Sequence, residues 1–208
     1  MGHAITFAQQ KGGAGKTTLL AHLAHSFALK KQQVALLDLD PQGSLTQWAS
    51  IADIENLTML ETASYRIGGD IRSAKDRYDF VLVDCPGNAS STLEAAIRES
   101  TMILIPCQPS MMDVWASSAV LAMCKKEDKP ARVIFNRVPP RGTAADMCRT
   151  ALKEKDAQVL KSNIGNRVTF SKSFGEGSTA LTASGQKVAK EEISALAKEV
   201  SQTLKKLG

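Results

Sequence analysis

Short apolar runs alternate along this chain with longer segments of helical periodicity. Most of the runs are almost continuously apolar, as expected for strands that are covered on both faces of a sheet. Because such strands alternate with helical segments, the pattern predicts β-α-β units and a parallel sheet. The strong strands are predicted at Ala4–Gln9, Gln33–Asp38, Phe80–Asp84, Met102–Pro106 and Arg132–Asn136. Two weaker candidates are Thr58–Glu61 and Gln158–Leu160.

Apolar residues at helical spacing predict helices between the strands and after them. These helices are predicted at Lys16–Lys30, Leu45–Ala52, Gly69–Lys75, Thr92–Glu99, Val114–Lys125, Thr143–Lys155 and Ala183–Lys206. The Gly-, Ser- and Thr-rich stretch Phe174–Ser184 is predicted to be a loop, and a length of 208 residues suits one domain over residues 1–208. The predicted fold class is α/β, with a mostly parallel, twisted sheet flanked by helices on both faces.

A phosphate-binding loop follows the first predicted strand. The segment that begins at Lys11 reads KGGAGKTT, and the usual pattern is G-x-x-x-x-G-K-[ST]. Gly15, Lys16 and Thr17 fit the second half of that pattern, but Gln10 stands in place of the first glycine. A Gly-rich turn that contains Lys and Thr by chance is the alternative. The strand before the loop and the helix after it favour the phosphate-binding interpretation.

The loop predicts binding of nucleotide phosphates with Mg²⁺. Backbone N–H groups of the glycine turn and of the following helix can converge on phosphate oxygens. Lys16 would reach the β- and γ-phosphates, and the Thr17 hydroxyl would hold Mg²⁺. The predicted nucleotide contacts in the loop are Lys11, Gly12, Gly13, Ala14, Gly15, Lys16, Thr17 and Thr18.

Polar residues end three other predicted strands, at the edge of a parallel sheet where ligands gather. Asp38 and Asp40 are two residues apart on an extended segment, so their side chains point the same way. Asp38 could support the Mg²⁺ shell and Asp40 could orient an attacking water, or both could be capping or turn aspartates. Asp84 ends an apolar strand, where a carboxylate can hold Mg²⁺ through water. Asn136 could bind the base or be a plain loop residue.

Composition and charge narrow the function classes. A hydrophobic content of 43% is too high for a disordered chain. No stretch approaches the roughly 20 apolar residues of a membrane span, and a strand at the N-terminus predicts no secretory signal. Four widely spaced cysteines disfavour a zinc site and a disulfide scaffold, so a reducing cytoplasm is expected. The net charge of +5 permits contact with nucleic acid.

Three motifs together resemble the ParA/MinD family of ATPases, which have a P-loop NTPase fold and a deviant Walker A motif. They are KGGAGKTT from Lys11, DLDPQGS from Asp38 and VLVDCP from Val81. The resemblance runs through most of the chain, and the second motif leans toward ParA. It implies an ATP-dependent sandwich homodimer, in which Lys11 reaches the nucleotide of the partner and Asp40 positions water. Gly87 departs from the family, which commonly has a second proline there.

The resemblance also implies binding partners. Small ParA-like proteins bind duplex DNA without sequence preference when ATP is bound. A ParB-like protein or a cargo adaptor then stimulates hydrolysis, which positions a plasmid, a chromosome or a protein cargo on the nucleoid. Because Lys and Arg outnumber acids in the second half of the chain, DNA contacts are predicted there, and a solvated basic surface is the alternative. The predicted contacts are Arg167, Lys172, Lys187 and Lys190.

A MinD-like membrane ATPase is the main alternative function. MinD proteins end in an amphipathic helix that inserts into lipid. Here the apolar stripe of the last helix lacks an aromatic anchor, and its other face mixes acids with lysines, so packing against the sheet is favoured. The stripe is Ala189, Ile193, Leu196, Val200 and Leu204. A cluster-bearing electron carrier would need suitably placed cysteines, and an ATP-dependent ligase would need a substrate pocket that the sequence does not reveal.

Overall fold

Seven strands form one sheet in the computed structural model, which describes residues 1–88 and 91–207. The strands are β1 His3–Phe7, β2 Val34–Asp38, β3 Leu57–Leu60, β4 Phe80–Asp84, β5 Met102–Cys107, β6 Ala131–Val138 and β7 Val159–Gly165. Their order in the sheet is β3-β2-β4-β1-β5-β6-β7, and every pair of neighbours is parallel. The α/β fold is therefore confirmed, with a sheet that is parallel throughout the described residues.

Helices cover both faces of this sheet. They are α1 Lys16–Ala28, α2 Ser44–Ile51, α3 Ile67–Arg77, α4 Ser91–Glu99, α5 Met111–Lys126, α6 Ala144–Lys153, α7 Val168–Gly175 and α8 Lys187–Leu207. Successive residues of a strand point to opposite faces. In β1, Ile5 and Phe7 therefore pack with α1 and α8, whereas Ala4, and Ala8 just after the strand, pack with α3 to α6. Burial on both faces explains why the strands are so continuously apolar.

The structure departs from the predicted elements in the last third of the chain. The marginal strand at Gln158–Leu160 extends to Gly165 as β7, and α8 begins at Lys187 rather than at Ala183. Helix α7 was not predicted. It is only 8 residues long and rich in Ser and Thr, so its periodicity is weak. Its last two residues, Phe174 and Gly175, lie in the stretch predicted as a loop.

The apolar stripe of α8 packs into the core, as the sequence predicted. Ile193, Leu196 and Val200 are fully buried, and Ala189 and Leu204 are 1% exposed. The helix packs against β7 and α1. This stripe is therefore not available to a lipid surface in this conformation. Within the described residues, no helix combines the length and the hydropathy that crossing a membrane requires.

Two buried histidines of α1 form hydrogen bonds with the segment that follows α7. The carbonyl oxygen of Thr18 lies 2.8 Å from Nδ1 of His22, and the backbone N–H of Ala180 donates to Nε2 at 3.0 Å. A carbonyl can only accept and an amide N–H donates, so His22 is neutral and carries its proton on Nδ1. Nδ1 of His25 lies 2.7 Å from Oγ1 of Thr179.

Acid is expected to destabilise the protein through His22. Burial lowers the pKa of His22 from 6.5 to about 4, so the unfolded chain binds a proton more readily than the folded one. The stability due to neutral His22 is present above pH 6.5 and is lost as the pH falls toward 4. The full shift corresponds to about 3 kcal/mol of unfolding free energy.

Urea unfolding of the wild type and of His22→Gln across that pH range would measure this effect. The variant should show a shallower loss of stability on acidification. In a His3→Gln control most of the slope should remain, because the His3 imidazole is only partly buried. Equal pH slopes in the wild type and His22→Gln would contradict the assignment.

Candidate nucleotide-binding site

The loop between β1 and α1 presents an open helix N-terminus. Gly13 and Gly15 have φ angles of 77° and 84°, in the left-handed region that glycine tolerates best. A β-carbon at Gly15 would also collide with Nδ2 of Asn136. The first turn of α1 contains no acidic residue, and no side chain caps it by a hydrogen bond among the described residues. Its free backbone N–H groups and the helix dipole therefore favour an anion such as a phosphate.

Side chains from neighbouring strands hold the loop in place. Gln9 is fully buried, and its Nε2 donates to the carbonyl of Pro106 at 3.1 Å. Its Oε1 accepts from the backbone N–H of Gln10 at 2.9 Å. Nε2 of Gln108 donates to the carbonyl of Gly13 at 3.0 Å. The end of β5 thus supports the loop directly.

Asn136 supports the loop from the other side. Its Nδ2 donates to the carbonyl of Ala14 at 2.8 Å, and its Oδ1 accepts from the backbone N–H of Arg137 at 3.0 Å. The side chain also lines a cleft of about 250 Å³ beside the loop. Contact between Asn136 and a base stays a prediction, and the cleft is where it would occur. Other residues that line the cleft are Gly15, Thr18, His22, Phe170 and Ile193.

Strand order brings the acidic residues to the loop. The register pairs Asp84 with Phe7 on one side and with Asp38 on the other, so Asp84 ends next to β1 and Asp38 ends one strand further out, beside Asp84. The Thr17 hydroxyl donates to Oδ2 of Asp84 at 2.5 Å. Burial raises the pKa of Asp84 to about 7, although the Thr17 hydrogen bond opposes this shift and Asp38 adds to it.

These residues fit a Mg²⁺ site. Oδ1 of Asp84 is buried and has no hydrogen-bond partner among the described residues. This is expected for an oxygen that binds a cation, or a water molecule bound to that cation. No described cluster of three or more His, Cys, Asp or Glu residues could hold a metal alone. Mg²⁺ commonly uses one or two carboxylates and completes its shell with water and substrate phosphates, which suits Thr17 and Asp84.

Asp38 and Asp40 have turn roles in this structure. The two oxygens of Asp38 accept from the backbone N–H of Asp40 at 3.1 Å and from that of Thr46 at 2.9 Å. Oδ1 of Asp40 accepts from the backbone N–H of Gln42 at 3.0 Å. The capping and turn interpretation therefore holds for both residues. The role of Asp38 in supporting the Mg²⁺ shell and the role of Asp40 in orienting water stay predictions.

Gly87 lies close to the loop, at ordinary van der Waals distances. A β-carbon at this position would lie 3.4 Å from the carbonyl oxygen of Gln10 and 3.9 Å from Nζ of Lys16. Gly87 follows β4, so Lys16 is directed toward the β4 side of the central strand.

Lys11 is directed toward the opposite side of β1. Its Nζ pairs with Oδ2 of Asp113 at 2.5 Å, and the Asp113 side chain is fully buried whereas that of Lys11 is 35% exposed. Asp113 also accepts from the Ser110 hydroxyl at 2.5 Å. Sequence reasoning missed Asp113. The S-x-x-D spacing of Ser110 and Asp113 marks a helix start, but nothing in it points to a lysine 102 residues away.

The four predicted DNA-contacting residues share one surface. Arg167 is already engaged, because its guanidinium donates to both carboxylate oxygens of Glu192, at 2.7 and 3.1 Å. The other three are lysines: Lys172 on α7, and Lys187 and Lys190 near the start of α8. The four residues line two adjoining depressions that share Gln186. One depression contains Arg167 and Lys172, and the other contains Lys187 and Lys190. Whether DNA binds there stays a prediction.

A glycine loop between the central parallel strand and a helix, with an aspartate ending the adjacent strand, defines a P-loop nucleotide-binding protein. The chain belongs to the CobQ/CobB/MinD/ParA nucleotide binding domain family, whose family model matches residues 5–180. The ParA/MinD resemblance is thereby confirmed, and that family consists of P-loop ATPases.

Individual relatives agree with this assignment. The chain is 28% identical to the Maintenance of carboxysome distribution protein A of Halothiobacillus neapolitanus, over 94% of this chain and 95% of that protein. It is 29% identical to Protein ParA of Rhizobium radiobacter, over 83% and 82% of the two chains. Its fold resembles the septum site-determining protein MinD of Pyrococcus horikoshii in complex with Mg-ADP, with a TM-score of 0.81, 19% identity and coverage of 100% and 99%.

Proposed function

We propose that this protein is a ParA-like ATPase that positions a cargo on DNA. It would hydrolyse ATP, form a sandwich homodimer when ATP is bound, and bind duplex DNA without sequence preference. The observation that carries the proposal is the placement of two lysines on opposite sides of β1. Lys16 lies beside Gly87 after β4, whereas Lys11 pairs with Asp113 after β5. Two cations so placed suit two nucleotides rather than one.

Binding of ATP is assigned to the loop and its neighbours. The N-terminal N–H groups of α1 and the ammonium group of Lys16 would hold the phosphates, while Thr17 and Asp84 would hold Mg²⁺. The ion would supply positive charge that offsets the charge of the phosphates. Asp38 would keep the loop after β2 beside Asp84, and Asp40 would orient the attacking water.

Hydrolysis depends on dimerisation in this proposal. Phosphoryl transfer spreads negative charge over the phosphate oxygens, and an additional cation stabilises that charge. Lys11 of one protomer would supply it to the nucleotide of the other. A ParB-like protein or cargo adaptor would accelerate this step, which releases the dimer from DNA. Repeated cycles would position a plasmid, a chromosome or a protein cargo along the nucleoid, within the cytoplasm.

DNA binding is supported by the shared surface of Arg167, Lys172, Lys187 and Lys190, because lysines that face phosphates suffice for binding without sequence preference. The names of the two sequence relatives, a ParA and a carboxysome distribution protein, support a positioning role. A MinD-like membrane ATPase is the second candidate. The burial of the α8 stripe weighs against it, since that face would have to contact lipid.

Binding to duplex DNA is expected to require ATP and to weaken steeply with salt. If each protomer of a dimer contributes four cations, affinity should fall about 1000-fold or more between 50 and 200 mM salt. Fluorescence anisotropy of a labelled duplex would measure this, with co-sedimentation on anionic liposomes in parallel. Binding to liposomes but not to DNA would replace the proposal with the membrane function.

Paired variants make this test specific to the surface. Lys172→Glu with Lys190→Glu should weaken DNA binding by at least about tenfold and flatten its salt dependence, because phosphate contacts are lost. Lys30→Glu with Lys31→Glu is the matched control, since both lysines are exposed at the far end of α1. If both pairs weaken binding equally, DNA does not use the predicted surface.

A further inference from the structure

Three large apolar side chains are exposed at the start of α5. Met111 is 39% exposed, Met112 is 64% exposed and Trp115 is 62% exposed. Tryptophan is usually well buried, and exposed apolar patches commonly mark interaction surfaces. Trp and Met are also enriched in the cores of protein interfaces. We call these three residues the α5 patch.

The α5 patch flanks, in sequence, the residue that holds Lys11. Asp113 lies between Met112 and Trp115 in sequence, and its carboxylate binds Nζ of Lys11 at 2.5 Å. The first turns of α5 therefore carry both the patch and the carboxylate that binds Lys11, the group that would cross to a partner nucleotide. Any protomer that covers Lys11 must approach the first turns of α5. Exposed apolar side chains at that place lower the free energy of the dimer only if the approaching chain covers them.

We propose that the α5 patch is part of the surface that binds a second copy of this chain in the ATP-bound dimer. The inference rests on the proposed function, because it requires the sandwich dimer, and it adds the residues that the dimer buries. In a dimer with twofold symmetry, both protomers bury the same patch. Formation of the dimer would therefore cover Trp115 at the same time as Lys11 leaves Asp113 for the partner nucleotide.

The two tryptophans of the chain make burial of the patch directly measurable. Trp48 is 2% exposed in the core, whereas Trp115 is 62% exposed, so iodide should quench Trp115 selectively. Adding Mg²⁺ with a non-hydrolysable ATP analogue to the full chain should shift the emission to shorter wavelength and reduce iodide quenching. A Trp115→Phe variant should lose both responses, which identifies the reporter. Light scattering on the same samples would show whether a dimer forms.

Substitutions test whether the patch contributes to dimerisation. Trp115→Glu and Met112→Glu should each weaken dimerisation about 30-fold or more, as for central interface residues, while binding of the analogue to the monomer is retained. Leu29→Glu is the matched control, because Leu29 is 58% exposed beyond the end of α1 that is remote from the loop. That variant should dimerise like the wild type.

The outcomes separate this inference from the proposed function. If the wild type forms a dimer while Trp115 remains open to iodide and Met112→Glu dimerises normally, the α5 patch is not part of the interface, although the ATPase proposal stands. If the wild type binds the analogue but stays monomeric at every concentration tested, the sandwich dimer itself is wrong, and this inference is overturned with it.

Discussion

Lys16→Ala is expected to abolish ATP binding at micromolar nucleotide concentrations. Lys16 is the cation nearest the open N-terminus of α1, and its ammonium group lies beside Gly87 where the β- and γ-phosphates would be held. Charge-assisted hydrogen bonds are about twice as strong as neutral ones, and the lysine also offsets phosphate charge. Losing these contacts should raise Kd for ATP by about 100-fold or more, which is about 2.7 kcal/mol.

Isothermal titration calorimetry with ATP and Mg²⁺ would measure this change. Lys30→Ala is a suitable control, because Lys30 is exposed just beyond the far end of α1 and should leave Kd unchanged. Thermal unfolding of both variants would show that the fold is intact, since Lys16 is at the first position of α1 and not in the core. Tight ATP binding by a folded Lys16→Ala protein would refute the assignment of the loop.

Lys11→Ala is expected to lower kcat for ATP hydrolysis by about 1000-fold while the monomer still binds ATP. Cationic groups supplied in trans to phosphoryl transfer contribute factors of roughly this size. Lys11 pairs with Asp113 in this structure, so its removal should leave the phosphate contacts of Lys16 in place. Phosphate release in the steady state, with saturating ATP and DNA, would provide the measurement.

A mixing experiment distinguishes action in trans from action in cis. Lys11→Ala and Asp40→Ala should each be inactive alone. In a mixed dimer, the nucleotide of the Lys11→Ala protomer has its own Asp40 and receives Lys11 from the other protomer, so turnover should reappear. If Lys11 instead served the nucleotide of its own chain, neither site of the mixed dimer would be complete. Absence of rescue in a mixture that does form mixed dimers would therefore exclude the role in trans.

Much of the nucleotide site was predictable because its signals are local. The glycines and Lys16 stand in one continuous segment, and a strand before it and a helix after it suffice to predict a phosphate-binding loop. The prediction of a parallel sheet rested on runs such as Phe80–Asp84, whose apolar continuity is a direct consequence of burial on both faces. Short elements were harder, and α7 was missed because eight residues hold little periodic signal.

Other features depended on strand order, which no local pattern encodes. Asp38 and Asp84 come together because β2 and β4 are neighbours in the sheet. The sequence predicted that polar residues would meet at the carboxyl ends of the strands, but it did not specify which strands pair. Local hydrogen bonds also changed the interpretation of Asp38 and Asp40. Their turn roles were an open alternative in the sequence, and only the structure shows both residues engaged in turns.

The sequence by itself determined the class of this protein, because the loop motif and the alternation of strands and helices depend on residues that are adjacent or one turn apart. Only the tertiary structure decided what surrounds the loop. Lys11 and Asp113 are separated by 102 residues, and Asn136 and Ala14 by 122. These contacts form because β5 and β6 follow β1 in the sheet, so residues distant in the chain end at one edge of the sheet. The same order brings Lys11 to Asp113, two residues before the exposed Trp115.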